Sequence, residues 1–143
     1  MQNIIKKLAI RSPWLYRINS GSCNGCDVEL ATTALIPRYD IERFGCKYCG
    51  SPKHADIVLV TGPLTAKMRD KVLHVYHEIP EPKVVVAVGI CPISGGVFRD
   101  SYALESPLDA YLPVDVNVPG CPPRPQAIID GILKAIEVWK TRI

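Results

Sequence analysis

Two short runs carry almost no polar residue, Asp56-Ile-Val-Leu-Val-Thr61 and Lys83-Val-Val-Val-Ala-Val88, and a stretch of helical period separates them. A strand that is apolar on both sides must be covered on both faces, which is the condition of a parallel strand inside an α/β sheet. Between the runs, Thr65 is placed to cap a helix that continues to about Glu78. Its apolar side is Met68, Val72, Val75, Tyr76 and Ile79, and Pro80 and Pro82 end it. Residues 14–19 read as a first strand, 27–35 as a helix stopping before Pro37, 44–49 as a short second strand and 112–118 as the last strand. Pro125 opens a final helix with Ile128, Ile129, Ile132, Leu133, Ile136 and Trp139 on one face, while Asp130, Lys134, Glu137 and Lys140 fall largely away from it. Strands joined by helices in this order imply an α/β fold with a doubly wound, mostly parallel sheet and helices on both faces. A length of 143 residues suits one compact domain, expected over residues 13–143, with residues 1–12 as an N-terminal extension.

Composition removes several function classes. Apolar residues make up 48% and charged residues 22%, the balance of a folded domain rather than a disordered one. A net charge of +3, without a basic run interleaved with aromatics, argues against a nucleic-acid partner. No apolar stretch approaches the roughly 20 residues that cross a bilayer. The first eleven residues lack the apolar core and cleavage site of a signal peptide, so a cytoplasmic location is the expectation. Ile4, Ile5 and Leu8 fit one face of a short helix with Lys6 and Lys7 elsewhere, as a frayed or partner-bound end or as a membrane-surface contact.

Six cysteines in a chain of this kind need a reason. A reducing compartment disfavours structural disulfides, so metal binding or redox chemistry is the better starting point. Four of the six follow strands: Ser20-Gly-Ser-Cys23-Asn-Gly-Cys26 after the first, Gly89-Ile-Cys91-Pro92 after the run ending at Val88, and Pro119-Gly120-Cys121-Pro122 after the last. Ligands of doubly wound sheets bind beyond the carboxyl ends of the strands. The fold therefore carries Cys23, Cys26, Cys91 and Cys121 to one edge.

Four thiolates, two of them from a C-x2-C pair, are the ligand set of a [4Fe–4S] cluster. Asn24-Gly25 supplies the small residues of the tight turn, and Gly89 and Gly120 precede the other ligands where backbone approaches closely. Backbone N–H groups of these turns and of the helix start can bond cluster sulfurs. Zinc is the competitor, but a four-cysteine zinc site usually joins two C-x2–4-C pairs. Cys91 and Cys121 stand singly, thirty positions apart. Unligated thiols are the remaining alternative.

Cys46-Lys-Tyr-Cys49 is a second C-x2-C. It falls in or beside a strand, where residues three apart point to opposite faces, so ordinary core or half-exposed cysteines are the plainer reading. A disulfide, a redox thiol or an extra metal ligand are the others. Asp27 and Glu29 follow the loop at once; carboxylates there often serve the helix dipole, and the functional alternative is proton transfer, for which Glu29 is the better candidate. His74 and His77 share a solvated helix face, His54 suits a local structural role, and Arg38 and Arg43 beside Asp40 and Glu42 suit ion pairs or an interface. The glycines of Gly89-Ile-Cys-Pro-Ile-Ser-Gly-Gly96 match neither a dinucleotide fingerprint nor a P-loop.

The run Ser22-Cys-Asn-Gly-Cys-Asp-Val-Glu29 resembles the cluster loop of small subunits of group 4 membrane-bound [NiFe] hydrogenases. Pro37-Arg-Tyr-Asp40, Glu42-Arg-Phe-Gly45, Ser51-Pro-Lys-His-Ala-Asp56, Gly89-Ile-Cys-Pro-Ile-Ser-Gly-Gly96 and Pro113-Val-Asp-Val-Asn-Val-Pro-Gly-Cys-Pro-Pro-Arg-Pro125 look like the same family, and the 20 kDa, PSST-type subunit of respiratory complex I shares much of this. The resemblance implies a flavodoxin-like fold and a proximal [4Fe–4S] cluster on Cys23, Cys26, Cys91 and Cys121. It implies a large-subunit partner holding a nickel–iron centre or a quinone cavity, a ferredoxin-like iron–sulfur subunit that feeds the cluster, and a membrane arm that moves protons or sodium ions. The complex would lie peripherally on the cytoplasmic side of the membrane, and this chain would hold no nickel of its own. The separation of Cys23 from Cys26 looks like a hydrogenase, since complex I has adjacent cysteines there. The absence of a cysteine-rich C-terminal extension and an export signal leads to the expectation of one cluster. Cys46 and Cys49 lie outside the family motif, and a nickel-free relative such as a membrane-bound sulfane reductase also resembles this pattern.

Overall fold

A computed structural model of the chain describes Ile4, Ile5, Leu8 and residues 10–143. Ile4, Ile5, Leu8 and Ile10 are helical and the first three are exposed, while Lys6 and Lys7 fall outside the described residues. The strands are β1 (Trp14–Asn19), β2 (Lys47–Tyr48), β3 (Ile57–Thr61), β4 (Val84–Val88) and β5 (Val116–Val118). The helices among the described residues after Arg11 are α1 (Gly25–Leu35), α2 (Ala66–Glu78), α3 (Ile90–Ser94) and α4 (Pro125–Arg142). All strand pairs are parallel and the order is β2-β1-β3-β4-β5. This is the flavodoxin-like order, with its topological switch between β1 and β3.

Alternation of side chains sorts the apolar runs onto two faces. Leu15, Ile57, Leu59, Val84, Val86 and Val88 join Leu30 of α1 and Ile128, Ile132 and Trp139 of α4 in one core. Ile18, Val58, Val60, Val85 and Ala87 join Val72 of α2 with Leu64 and Leu108 in the other. Every residue of β3 and β4 is buried, as strands covered on both faces require. Asp115 bonds the backbone of Val85 through its carboxylate and is paired with Arg142, which also donates to Lys83 O (2.6 Å), so the end of α4 is tied to the β4–β5 ladder.

Two expected boundaries shift and one expected cap is not made, each for an identifiable reason. Residues 44–49 give only the two-residue β2, because Ile41–Phe44 form a 3-10 turn closed by Gly45 in the left-handed region. The last strand begins at Val116 rather than Leu112: Leu112 N–H donates back to Leu108 O (3.0 Å), and Pro113 has no N–H for a ladder. Thr65 precedes α2, but its hydroxyl donates weakly to Ser20 O (3.4 Å) instead of capping the helix. The sequence pattern gives no sign of α3; Pro92 is its third residue, where a missing N–H leaves no intrahelical bond unmade.

Candidate functional site

The four cysteines that follow strands are all at the carboxyl edge of the sheet. Ser20 begins the loop after β1, and it is buried with its N–H and hydroxyl both donating to Thr61 O, at 3.0 and 2.9 Å, and the hydroxyl also to Gly62 O. The loop lies so close to the end of β3 that a Cβ on Gly62 (φ +80) would stand 2.3 Å from Ser22 N. Across the edge, Gly89 N–H donates to Val118 O (2.8 Å) and Ile90 N–H to Gly120 O (2.9 Å), which fastens the Cys91 loop to the Cys121 loop.

Cys26 lies inside the first turn of α1 and is buried, as is Cys91 in α3, whereas Cys23 and Cys121 are exposed. The pair from each side of the edge thus offers one sulfur from within and one from the rim. Gly89 (φ +94) makes room for the inner sulfur, because a Cβ there would be 2.7 Å from Cys26 Sγ. Burial pushes the Cys26 thiol up to about 11, and Cys91, Cys23, Asp27 and Cys121 add to the effect in that order. Cys91 is raised by burial, then by Cys121 and Cys23. The neighbouring thiols therefore disfavour the thiolates of Cys26 and Cys91, and ionising these two calls for positive charge close by. Among the described residues no three His, Cys, Asp or Glu side chains close on a point suited to a single metal ion.

Asp27, which the sequence offers as a dipole partner for α1 or, less favoured than Glu29, for proton transfer, is buried and fully engaged. It accepts from Thr61 Oγ1 (2.8 Å) and Asn19 Nδ2 (2.9 Å) and pairs with Arg17 at 2.9 Å. Asn19 Oδ1 in turn accepts from Gly21 N–H (3.0 Å) and Ser22 N–H (2.8 Å), so one side chain holds both ends of the cysteine loop. The available signal was modest: Asn19 and Thr61 are the polar residues that close two apolar strands at the ligand edge. Glu29 is half-buried and makes no side-chain hydrogen bond or ion pair among the described residues.

The second C-x2-C does not join the site. Cys46 is buried in the α1–α4 core, and Cys49 packs against the opposite core with its Sγ 3.4 Å from Leu15 O and Ser51 O. Burial alone pushes Cys46 up to about 11. Arg38 and Arg43 form no ion pair with Asp40 or Glu42; Arg43 lies over the Phe44 ring at 4.7 Å and Arg38 near Tyr39 at 6.0 Å, while the Asp40 carboxylate accepts from Glu42 N–H. His54 stacks at a tilt on Trp14, and His74 sits 3.4 Å from Glu78 on an exposed helix face.

The family model described as NADH ubiquinone oxidoreductase, 20 Kd subunit, matches residues 23–135, from the first edge cysteine into α4. The chain belongs to this 20 kDa subunit family. A probable membrane-bound hydrogenase subunit of Pyrococcus furiosus is 58% identical over 127 residues, covering 89% of this chain and 75% of that one. An NADH-quinone oxidoreductase subunit of Heliobacterium modesticaldum is 45% identical, covering 84% of this chain and 68% of its own. Among solved structures, a chain of an archaeal membrane-bound sulfane sulfur reductase superposes with a TM-score of 0.83 at 37% identity, covering 99% of this chain and 77% of that chain. These members of the 20 kDa family are subunits of oxidoreductases, and their names span three terminal chemistries. No helix of the described residues is long and apolar enough to cross a membrane.

Proposed function

We propose that this 20 kDa family member is the electron-transfer subunit of a membrane-bound, ion-translocating [NiFe] hydrogenase complex, with Cys23, Cys26, Cys91 and Cys121 as the ligands of one proximal [4Fe–4S] cluster. The observation that carries the reading is the meeting of these four thiols, from three loops, on one sheet edge. When bound, such a cluster takes up and gives back single electrons. Everything else falls to the chain. The loop after β1 is bonded to the end of β3, and the loops after β4 and β5 are bonded to each other, so each side of the edge holds its sulfurs in place before any partner arrives. Gly89 leaves the space that the inner sulfur occupies. Free N–H groups in the first turn of α1 face the same edge and favour negative charge there. Glu29, one turn beyond Cys26 and without a side-chain partner among the described residues, is the carboxylate we assign to proton movement near the site.

The edge is also where exposed apolar side chains collect: Val28 is 62% exposed in α1, and Val97 and Phe98 are 84% and 48% exposed just after α3. We assign this surface to a large subunit with the nickel–iron site, which would keep water from the electron path. A ferredoxin-like subunit would supply electrons, and membrane subunits would hold the complex peripherally on the cytoplasmic side. Identity of 58% to a hydrogenase subunit favours protons as the terminal acceptor. The likeness to the sulfane reductase chain favours, as second reading, the same relay serving sulfur or quinone reduction without nickel. Nickel content of the intact complex, purified anaerobically through this chain, separates them. About one nickel per complex is expected, with hydrogen evolution from reduced ferredoxin. Absence of nickel beside an intact cluster overturns the hydrogenase and leaves the relay.

A further inference from the structure

Arg17 and Asp27 form an ion pair in an unusual place. Arg17 is on β1, and its guanidinium reaches Asp27 at the start of α1, directly after the ligand-bearing Cys26. The pair lies in the wall of an open pocket of about 410 Å3, also lined by Tyr16, Leu30, Ala31 and Tyr48. Asp27 is 8% exposed and Arg17 47%. Asp27 also accepts from Thr61 and, through Asn19, is linked to the N–H groups of Gly21 and Ser22. A loop could be anchored by neutral hydrogen bonds alone; a buried carboxylate beside an anionic redox group adds a charge that opposes reduction, and an adjacent guanidinium offsets it.

We propose that Arg17 and Asp27 are paired positioning residues that set the reduction potential of the group held by Cys23, Cys26, Cys91 and Cys121. Asp27 fixes the cysteine loop and biases the site toward the oxidised state. Arg17, half exposed to the pocket, holds that bias in check. The inference rests on the reading of the four cysteines as ligands of a one-electron cluster. A purely structural pair would loosen the loop when either member is removed and would move the potential in one common direction. An electrostatic pair moves it in opposite directions.

The test is a redox titration of the cluster's paramagnetic signal in the intact complex, with Arg17→Gln, Arg17→Lys and Asp27→Asn introduced into this chain. Arg17→Gln is expected to lower the reduced-to-oxidised ratio at a fixed applied potential by about tenfold, a shift of about 59 mV for a one-electron couple. Arg17→Lys is expected to return most of it, and Asp27→Asn to shift the ratio the other way. If Asp27→Asn fails to assemble, the two Arg17 variants still decide the sign, because among charged groups of the described residues Arg17 pairs only with Asp27. An unchanged potential in Arg17→Gln, an upward shift, or a lysine variant that behaves like glutamine overturns the inference while leaving the cluster in place. A wild-type complex with no reducible cluster overturns the functional reading, and this inference with it.

Discussion

The chain holds two C-x2-C pairs of identical spacing with opposite fates. Cys23 and Cys26 span a tight turn into α1, with Asn24 in the left-handed region at φ 70 and Cys26 already in the helix. Cys46 and Cys49 flank the two residues of β2 and send their sulfurs into different cores. Spacing therefore does not decide where two thiols lie; the backbone between them does. A turn folds both sulfurs toward one point, and an extended segment separates them by the thickness of the sheet. The first pair also gains two companions from the ends of β4 and β5, whereas β2 is an edge strand with none.

Removing the proposed ligands should give the widest contrast. Cys26→Ala or Cys91→Ala is expected to abolish the cluster's visible absorbance in the anaerobically purified complex, while Cys46→Ala and Cys49→Ala retain it. Loss of the absorbance in Cys46→Ala in a folded chain would erase the distinction between the pairs.

The glycines behind the two pairs come next. Gly89→Ala places a Cβ 2.7 Å from Cys26 Sγ at a φ of +94, whereas Gly50, beside Cys49, has nothing within 4 Å of an added Cβ. Gly89→Ala is expected to cost about 1–3 kcal/mol in denaturant unfolding and to weaken cluster retention, and Gly50→Ala to stay within about 0.5 kcal/mol. Equal effects would mean that the edge does not crowd its sulfur.

Cys46 offers a pH test of the same contrast. Its thiol is raised from 9.0 to about 11 by burial, so the folded chain keeps a proton that the unfolded chain releases. The raised value makes this contribution fully present below about pH 9 and lost as pH rises toward 11. Relative to Cys46→Ala, the wild type should lose on the order of 2–3 kcal/mol across that window. Parallel stability curves for the two would contradict the burial of Cys46. A small effect is expected at Cys49→Ser, where a hydroxyl can still donate to Leu15 O or Ser51 O, within about 1 kcal/mol. Cys46→Ser, which sets a hydroxyl among the apolar side chains of the α1–α4 core, should cost about 1–3 kcal/mol.

Much of this was legible from residues near one another in the chain. β3 and β4 follow from their unbroken apolar runs, and the amphipathic face of α4 from its period, because burial on both faces or on one leaves a direct pattern. The four edge cysteines follow from those elements. What the sequence hid depends on partners far apart. The bonds that stop β5 short involve Leu108 and Pro113, and those that occupy Asp27 come from Arg17, Asn19 and Thr61 on two other strands. The Asp27 carboxylate reads as a dipole partner until the fold brings these donors to it.

The central claim is that the four edge thiols hold an iron–sulfur cluster and not a lone ion. Iron, zinc and acid-labile sulfide, measured per chain in the anaerobically purified complex of wild type against Cys91→Ala, test it most directly. The wild type is expected to exceed the variant by about four iron and about four sulfide. A difference of about one zinc, with iron and sulfide unchanged, would contradict it.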